Sequence, residues 1–435
     1  MGKKYFMSSA QTRLYAIDLI QGANITYNIP IMLKIHGHVD LQRLEMTLNK
    51  LVDRHEVFRT YFANQGNKFY QIVEDTVKMK IIYEKRKTVD IHMLFNEFVK
   101  PFDLGKPPLI RCFFIETNET NILLLDIHHI IFDGGCVSTL LKDIQDIYNG
   151  KCLEPIKVQY KDFSAWQNKK DVSKQQAYWL KQFKDGIPTL SLTFDYKRPQ
   201  YQNYKGKTIK ISLDNTFYES MKTLCRKEEV TEYVVFLSAL MILISRYSGQ
   251  NNIVIGTPVS GRTHPQVQNM MGMFVNILAL MGEVDENKSF REFLQEMKEK
   301  CFSALDNQDY PFEKLIEDLE IKSNSARNPL FDIMFTVQNS CVTRMALGEA
   351  ILETIDFEHN IAKFDLTVTG IIHNDFYDII VDYNTSLFKE ESVKLMFQHY
   401  KTLLRNILKE PEKSIVEQTI LEQNEVETVI DKFNN

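Results

Sequence analysis

Ile127-His128-His129-Ile130-Ile131-Phe132-Asp133-Gly134-Gly135 is the stretch that decides how this chain is read. On its N-terminal side, Asn121 to Ile127 reads as a buried strand, with Ile122, Leu123, Leu124 and Leu125 in series. On its C-terminal side, Val137 to Tyr148 reads as a helix. Leu140, Leu141, Ile144, Ile147 and Tyr148 share one of its faces, and Asn149-Gly150 ends it. The two histidines therefore stand where a strand leaves the core and a helix begins. Neighbouring side chains of a strand point to opposite sides, so His128 and His129 need not share a task. Histidine is also the common side chain that acts as acid or base near neutral pH.

The bulk numbers narrow the class. A chain of 435 residues holds two or three average domains. With 44% hydrophobic and 25% charged residues it has the composition of a globular protein. A net charge of -5 argues against nucleic acid, which calls for a basic face. Cys112, Cys136, Cys152, Cys225, Cys301 and Cys341 are scattered, with no CxxC pair; no zinc site or disulfide framework is expected, and a reducing cytoplasm is the expected location. The N-terminal residues Met1 to Phe6 carry no signal-peptide apolar region. The most apolar run, Val234 to Ile244, is shorter than a membrane span and lies between Glu232 and Arg246, which predicts a buried core helix.

Helices and strands alternate along the chain, which predicts an α/β or α+β architecture. Ser8-Ser9-Ala10-Gln11 reads as a capping box opening the first helix. Asp40 reads as the cap of a second, with Leu41, Leu44, Leu48, Leu51 and Val52 on its buried face. Lys68 to Val73, Met79 to Tyr83, Lys207 to Leu213, Ile253 to Pro258, Phe331 to Val337 and Tyr377 to Tyr383 read as strands, and Glu391 to Leu408 as an amphipathic helix.

Taken alone, the double histidine has two readings. It is either a pair of buried polar groups satisfied by backbone, or part of an active site at a strand–helix junction. Asp133, just before the helical run, is equally placed to be a helix cap. Missing chemistry narrows the second reading. There is no GxSxG elbow, no Walker-type phosphate loop and no dinucleotide GxGxxG. What remains is a histidine able to hold or accept a proton from a nucleophile that a substrate supplies. Beside it, Gly134 and Gly135 expose backbone N–H groups at a helix start. That combination points to direct acyl transfer between two substrates, without a covalent intermediate on the protein.

The central motif matches the HHxxxDG signature, and six further stretches extend the match. Ser9-Ala10-Gln11-Thr12-Arg13-Leu14-Tyr15 resembles the first motif of the condensation domains of nonribosomal peptide synthetases. Arg54 to Phe62 resembles their second, Tyr160 to Trp166 their fourth and Gly272-Met273-Phe274-Val275-Asn276 their fifth. Asn307 to Glu313 resembles the sixth, and Arg327 to Phe331 the seventh. The motifs occur in family order across nearly the whole chain.

This resemblance implies two lobes resembling chloramphenicol acetyltransferase, arranged as a V-shaped pseudo-dimer: residues 1–175 carrying HHxxxDG, residues 176–420, and residues 421–435 opening a linker toward an adenylation domain. It implies peptide-bond formation between a donor acyl or peptidyl thioester and the amine of an acceptor aminoacyl thioester. Both would ride on the 4'-phosphopantetheine arms of upstream and downstream carrier proteins, with no metal and no cofactor bound by the chain itself, and with no nucleic-acid or membrane partner. His129 takes the family's catalytic position, either as base or by orienting the amine. His128 is implied to be structural. Asp133 is implied to be one half of a structural ion pair, with Arg59 as its arginine. Gly134 would let the pantetheine arm approach and offer its N–H, while Gly135, Phe274 and Asn276 would line the substrate tunnel.

Two departures stand out. Gly135 and Cys136 replace the bulky residue and serine common after the Asp-Gly, which implies a roomier floor. An epimerisation domain of the same fold and a free-standing HHxxxDG acyltransferase are the rival readings. His128 and His129 argue against a heterocyclisation domain, in which aspartates replace them.

Overall fold

The computed structural model describes residues 2–21, 24–66, 68–322, 324–340, 344–355, 360–422 and 425–426. In chain order the first elements are β1 (Lys3–Phe6), α1 (Ser9–Gln21), β2 (Asn28–His36), α2 (Leu41–Arg54), β3 (Thr60–Gln65), β4 (Lys68–Val73) and β5 (Ile81–Lys85). There follow α3 (Ile91–Phe98), β6 (Ile110–Glu116), β7 (Asn121–His128), α4 (Val137–Tyr148), α5 (Tyr160–Gln167) and α6 (Ser173–Gln182). The chain continues with β8 (Gly206–Leu213), α7 (Asn215–Glu228), α8 (Glu232–Ser248), β9 (Asn252–Val259), β10 (Asn276–Glu283), α9 (Phe290–Asp306) and α10 (Phe312–Asp318). It closes with β11 (Ile333–Asn339), β12 (Arg344–Leu347), β13 (Ala350–Thr354), β14 (Leu366–Ile372), β15 (Tyr377–Asn384) and α11 (Glu390–Lys409).

These elements form two compact units, each with its own six-stranded sheet. The first comprises Met1–Val172 together with two later segments, Ser260–Asn276 and Cys341–His359. Its sheet runs β12-β13-β2-β7-β6-β5, antiparallel at every pairing except β5 with β6. A three-stranded sheet, β1-β4-β3, accompanies it. The second unit comprises Ser173–Val259, Ile277–Ser340 and Asn360–Asn435, around the sheet β10-β9-β11-β14-β15-β8. Most of the segment read as a linker, residues 421–435, lies outside the described residues.

Local sequence accounts for the elements that matter most. Ser8 and Gln11 exchange reciprocal hydrogen bonds of 3.1 Å at the start of α1. Asp40 accepts from the N–H groups of Gln42 and Arg43 and starts α2. Such a cap is worth about 1 kcal/mol. β7 is a continuous apolar run because both its faces are covered. Leu123, Leu125 and Ile127 join the large core with Leu44, Leu48 and Leu51 of α2 and Leu140, Leu141 and Ile144 of α4. Ile122 packs on the other face with Leu94 and Ile115. In the second unit, α8 buries every side chain from Val234 to Ile244 and ends at Gly249 in the left-handed region, φ +66. It is the core helix expected from its composition. Among the described residues no single helix is long and apolar enough to cross a membrane.

The second unit also encloses a charge cluster. Asp332 and Asp365 are 4% and 5% exposed. Arg198 pairs with Asp365, and Arg327 Nη2 lies 3.5 Å from Asp332 Oδ2. Burial raises the Asp332 carboxyl to about 6, helped by the Asp365 charge, with Arg327 and Arg198 pulling it back. A carboxyl raised in the folded state binds its proton more tightly there than in the unfolded chain, so its contribution to stability is lost as pH rises through about 6. The Asp332→Asn variant is therefore expected to gain stability relative to the parent as pH rises from 4 to 7, by on the order of 2 kcal/mol. Thermal melts of both proteins across that range check it; a constant difference refutes it.

Candidate active site

β7 delivers the double histidine to the edge of the first unit's core: His128 is the last residue of the strand and His129 the first of the turn that follows. His128 is 4% exposed. Its Nδ1 accepts the Ile130 N–H at 3.1 Å, and its ring meets Phe102 edge-on with centroids 6.0 Å apart. A ring nitrogen that accepts a backbone N–H is engaged in holding the turn. His129 opens that turn, a single 3-10 turn over His129–Ile131, and is partly exposed. Its backbone is pinned on both sides: its N–H donates to Tyr27 O at 2.7 Å, and its carbonyl accepts from Phe132 N–H at 3.2 Å.

Asp133 is fully buried. Its Oδ1 accepts from Arg262 Nη2 at 3.0 Å and from Cys136 Sγ at 3.2 Å, and its Oδ2 accepts the Phe274 N–H at 2.8 Å. The arginine of the expected ion pair is thus Arg262, not Arg59. Arg59 donates instead to the backbone carbonyls of Val52, Glu74, Asp75 and Asp53, tying the end of α2 to the turn after β4. Arg262 is 7% exposed. It also donates from Nη1 to Val267 O at 2.7 Å and to Met270 O at 2.6 Å, and its guanidinium lies 4.1 Å from the Phe274 ring centroid. One carboxylate and one guanidinium therefore fold segment 260–276 onto the start of α4. Sequence reading passed over Arg262. A signal was available: it is the only Asp, Glu, Lys or Arg between Arg246 and Glu283, and a lone charge in such a stretch marks a buried pair.

The two glycines are exposed. A Cβ on Gly134 would meet nothing within 4 Å, whereas one on Gly135 would stand 3.2 Å from Arg262 Nε and 3.3 Å from Asp133 Oδ1. The first offers open approach to backbone; the second roofs the ion pair. Phe274 is 4% exposed and packs on Tyr160 and Phe163, with centroids 5.0 and 4.6 Å away. Asn276, at the start of β10, is partly exposed. Gly272 takes φ +156 with its notional Cβ inside the Tyr160 ring, so no side chain fits there.

Cys136 is 1% exposed, and burial, with the Asp133 charge, pushes its thiol up to about 12. A thiol protonated at neutral pH is no nucleophile. A thiol reagent applied to the native protein is expected to label the exposed Cys152 and to spare Cys136, as read by peptide mass spectrometry. Labelling of Cys136 at a comparable rate refutes this.

Other motif residues brace the site. Asp143 of α4 takes His55 Nε2 at 2.8 Å and Arg54 Nε at 3.1 Å, which clamps α4 to the end of α2. Ser8 Oγ lies 2.8 Å from the Tyr160 hydroxyl, which also bonds Met273 O. Trp179, in the second unit, is 2% exposed and donates from Nε1 to Asn307 O at 2.9 Å, a packing role.

A partly exposed histidine, two exposed glycines and the carboxylate of a buried carboxylate–guanidinium pair thus share the turn between β7 and α4. The condensation-domain profile matches residues 1–430, and the chain belongs to the condensation-domain family. Condensation domains of peptide synthetases are amide-forming acyltransferases. The chain is 37% identical to bacitracin synthase 3 of Bacillus licheniformis over 439 residues, which covers 100% of this chain and 7% of that protein. It is 38% identical to gramicidin S synthase 2 of Aneurinibacillus migulanus over 436 residues, 99% of this chain and 10% of that one. It thus spans about a tenth of the length of these relatives. Among solved structures, a holo four-domain nonribosomal peptide synthetase bound to AMP and glycine shares the fold with a TM-score of 0.89, at 23% identity over 98% of this chain and 34% of that one.

Proposed function

We propose that this domain joins a donor acyl or peptidyl thioester to the amine of an acceptor aminoacyl thioester, each on the phosphopantetheine arm of a carrier protein, within a cytoplasmic synthetase that builds a peptide. The observation that carries the reading is the division of the histidine pair: His128 is buried and engaged in the turn, while His129 is pinned through its backbone and partly exposed.

In the reaction the acceptor nitrogen attacks the donor carbonyl, the C–N bond forms, the C–S bond breaks, and the amine proton ends on the departing thiol. An α-amine titrates near 8 and a free histidine near 6.5, so complete deprotonation before attack is uphill by about 2 kcal/mol. His129 therefore holds and orients the amine and takes its proton as the C–N bond forms. Gly134 presents backbone N–H to the substrate thioester, and Asp133 with Arg262 keeps that backbone in place. Gly135 and Asn276 lie beside the path of the substrate arms, and Phe274 forms its packed wall. Residues 421–435 lead toward an adenylation domain, in keeping with the far greater length of the relatives.

The test is a condensation assay with defined donor and acceptor thioesters on carrier proteins, read by intact-protein mass spectrometry. Transfer of the donor mass onto the acceptor carrier is expected. Inversion of the donor stereocentre without transfer would replace this reading with epimerisation, and transfer to a free amine in preference to a carrier-bound one would replace it with a free-standing acyltransferase.

A further inference from the structure

A second polar group is built into the end of β7, close in sequence to the histidine pair. Asp126 is fully buried, two residues before His128 and on the same face of the strand. Across β6 it faces Arg111, and across β2 the partner of His128 is Asn28. Asn28 Nδ2 lies 3.0 and 2.9 Å from the two Asp126 oxygens and 2.9 Å from Lys100 O. Arg111 Nη2 lies 3.2 Å from Asp126 Oδ2 and also donates to Lys100 O.

We infer that Asp126 is a positioning residue for His129, working through two arms that end on either side of it. The first arm runs through Asn28, whose neighbour Tyr27 supplies the carbonyl that takes the His129 N–H at 2.7 Å. The second runs through Arg111, whose guanidinium sits 3.7 Å over the Phe102 ring; Phe102 packs edge-on against His128, and His128 Nδ1 takes the Ile130 N–H. One carboxylate thereby sets the backbone contacts immediately before and after the reactive ring. A misplacement of about 1 Å at a reacting group lowers a rate by about 10²-fold, so such an anchor matters to turnover more than to binding.

Burial pushes the Asp126 carboxyl up to about 7, with Arg111 and Asn28 pulling it down. The groups that face it are Arg111 from β6, His128 from its own strand, Asn28 from β2 and the Lys100 carbonyl from the segment after α3. Its charge thus changes across the neutral range. Below that range the carboxyl loses its charge-assisted bond to Arg111 and one acceptor site, both arms slacken, and turnover falls with them.

This inference rests on the proposed reaction, so its test has one readout that does not use it. In the Asp126→Asn variant kcat is expected to fall 10-fold or more with KM for the acceptor carrier within twofold, and the limb of the pH–rate profile near 7 is expected to flatten. In parallel, protein labelled with 13C-aspartate, 15N-histidine and 15N-isoleucine is followed by NMR: the His129 and Ile130 amide signals of the parent are expected to carry a component that follows the Asp126 carboxyl, beside that of the histidine rings, and that component to vanish in the variant. A parent domain inactive in condensation sinks the reaction reading, while the amide titrations still decide the positioning role. Should Asp126→Asn fail to fold, Asn28→Ala is expected to displace the His129 amide and Arg111→Gln the Ile130 amide, each with loss of kcat. A folded Asp126→Asn protein with unchanged kcat, pH profile and amide titrations, and only a lower melting temperature, overturns the inference.

Discussion

Replacing His129 by alanine is expected to lower the rate of amide formation about 10²- to 10⁴-fold, the range of a lost acid–base group. Two kinds of contact place this residue, and the substitution removes only one. The backbone contacts to Tyr27 O and from Phe132 N–H survive, because they belong to main-chain atoms. The residue is partly exposed, so its truncation is not a core deletion. Stability is therefore expected to change by less than about 1 kcal/mol. His128→Ala is the opposite case. That ring is buried against Phe102 and caps the Ile130 N–H, so its loss is expected to cost about 2 to 4 kcal/mol of stability. Rates with loaded carrier proteins and thermal melts on both variants give the comparison. A His129→Ala protein that forms the amide at the parental rate would remove the catalytic assignment.

The largest stability effect is expected at Asp133 and Arg262. Each is buried, and each holds several partners at once, so deleting either side strands the other. Asp133→Ala would leave the guanidinium without its counter-charge and the Phe274 N–H without its acceptor; Arg262→Ala would leave a carboxylate with no counter-charge in the core. A buried charge orphaned in this way costs about 3 to 5 kcal/mol. The double variant Asp133→Leu with Arg262→Met removes both charges and is expected to recover much of the loss, since an apolar pair of similar volume is often as stable as the ion pair it replaces. Arg59→Ala is expected to cost only about 1 kcal/mol, because its partners are backbone carbonyls that water can satisfy in its place. Melting temperatures of the four proteins order these costs. An Arg59 variant as damaged as the Arg262 variant, or a double variant no better than either single one, would refute the assignment.

Much of the fold was legible because short-range chemistry dictated it. The apolar run of β7, the Asp40 cap, the Ser8–Gln11 box and the all-round apolar α8 can each be read from residues within a few positions of one another. The carriers of the site were legible for the same reason: a strand end, two histidines and a glycine pair adjoin in sequence. What escaped were charges whose partners lie far along the chain. Arg59 seemed a suitable mate for Asp133 because it sits in a recognised motif, but its guanidinium is spent on nearby carbonyls. Arg111 and Asp126 lie 15 positions apart in separate strands, and only the β6–β7 register sets them side by side.

By itself, then, the amino-acid order determined the main elements around the double histidine and the family, and it singled out His129 as the candidate to meet the substrate, since each depends on local pattern. Which arginine neutralises Asp133, that residues 260–276 and 344–355 belong with the first unit, and that Asn28, Arg111 and Asp126 converge near His129 were decided by the tertiary structure alone. The reason is physical. A buried charge takes whichever partner the packed sheets and loops bring within about 3 Å, and spacing along the chain does not encode that proximity.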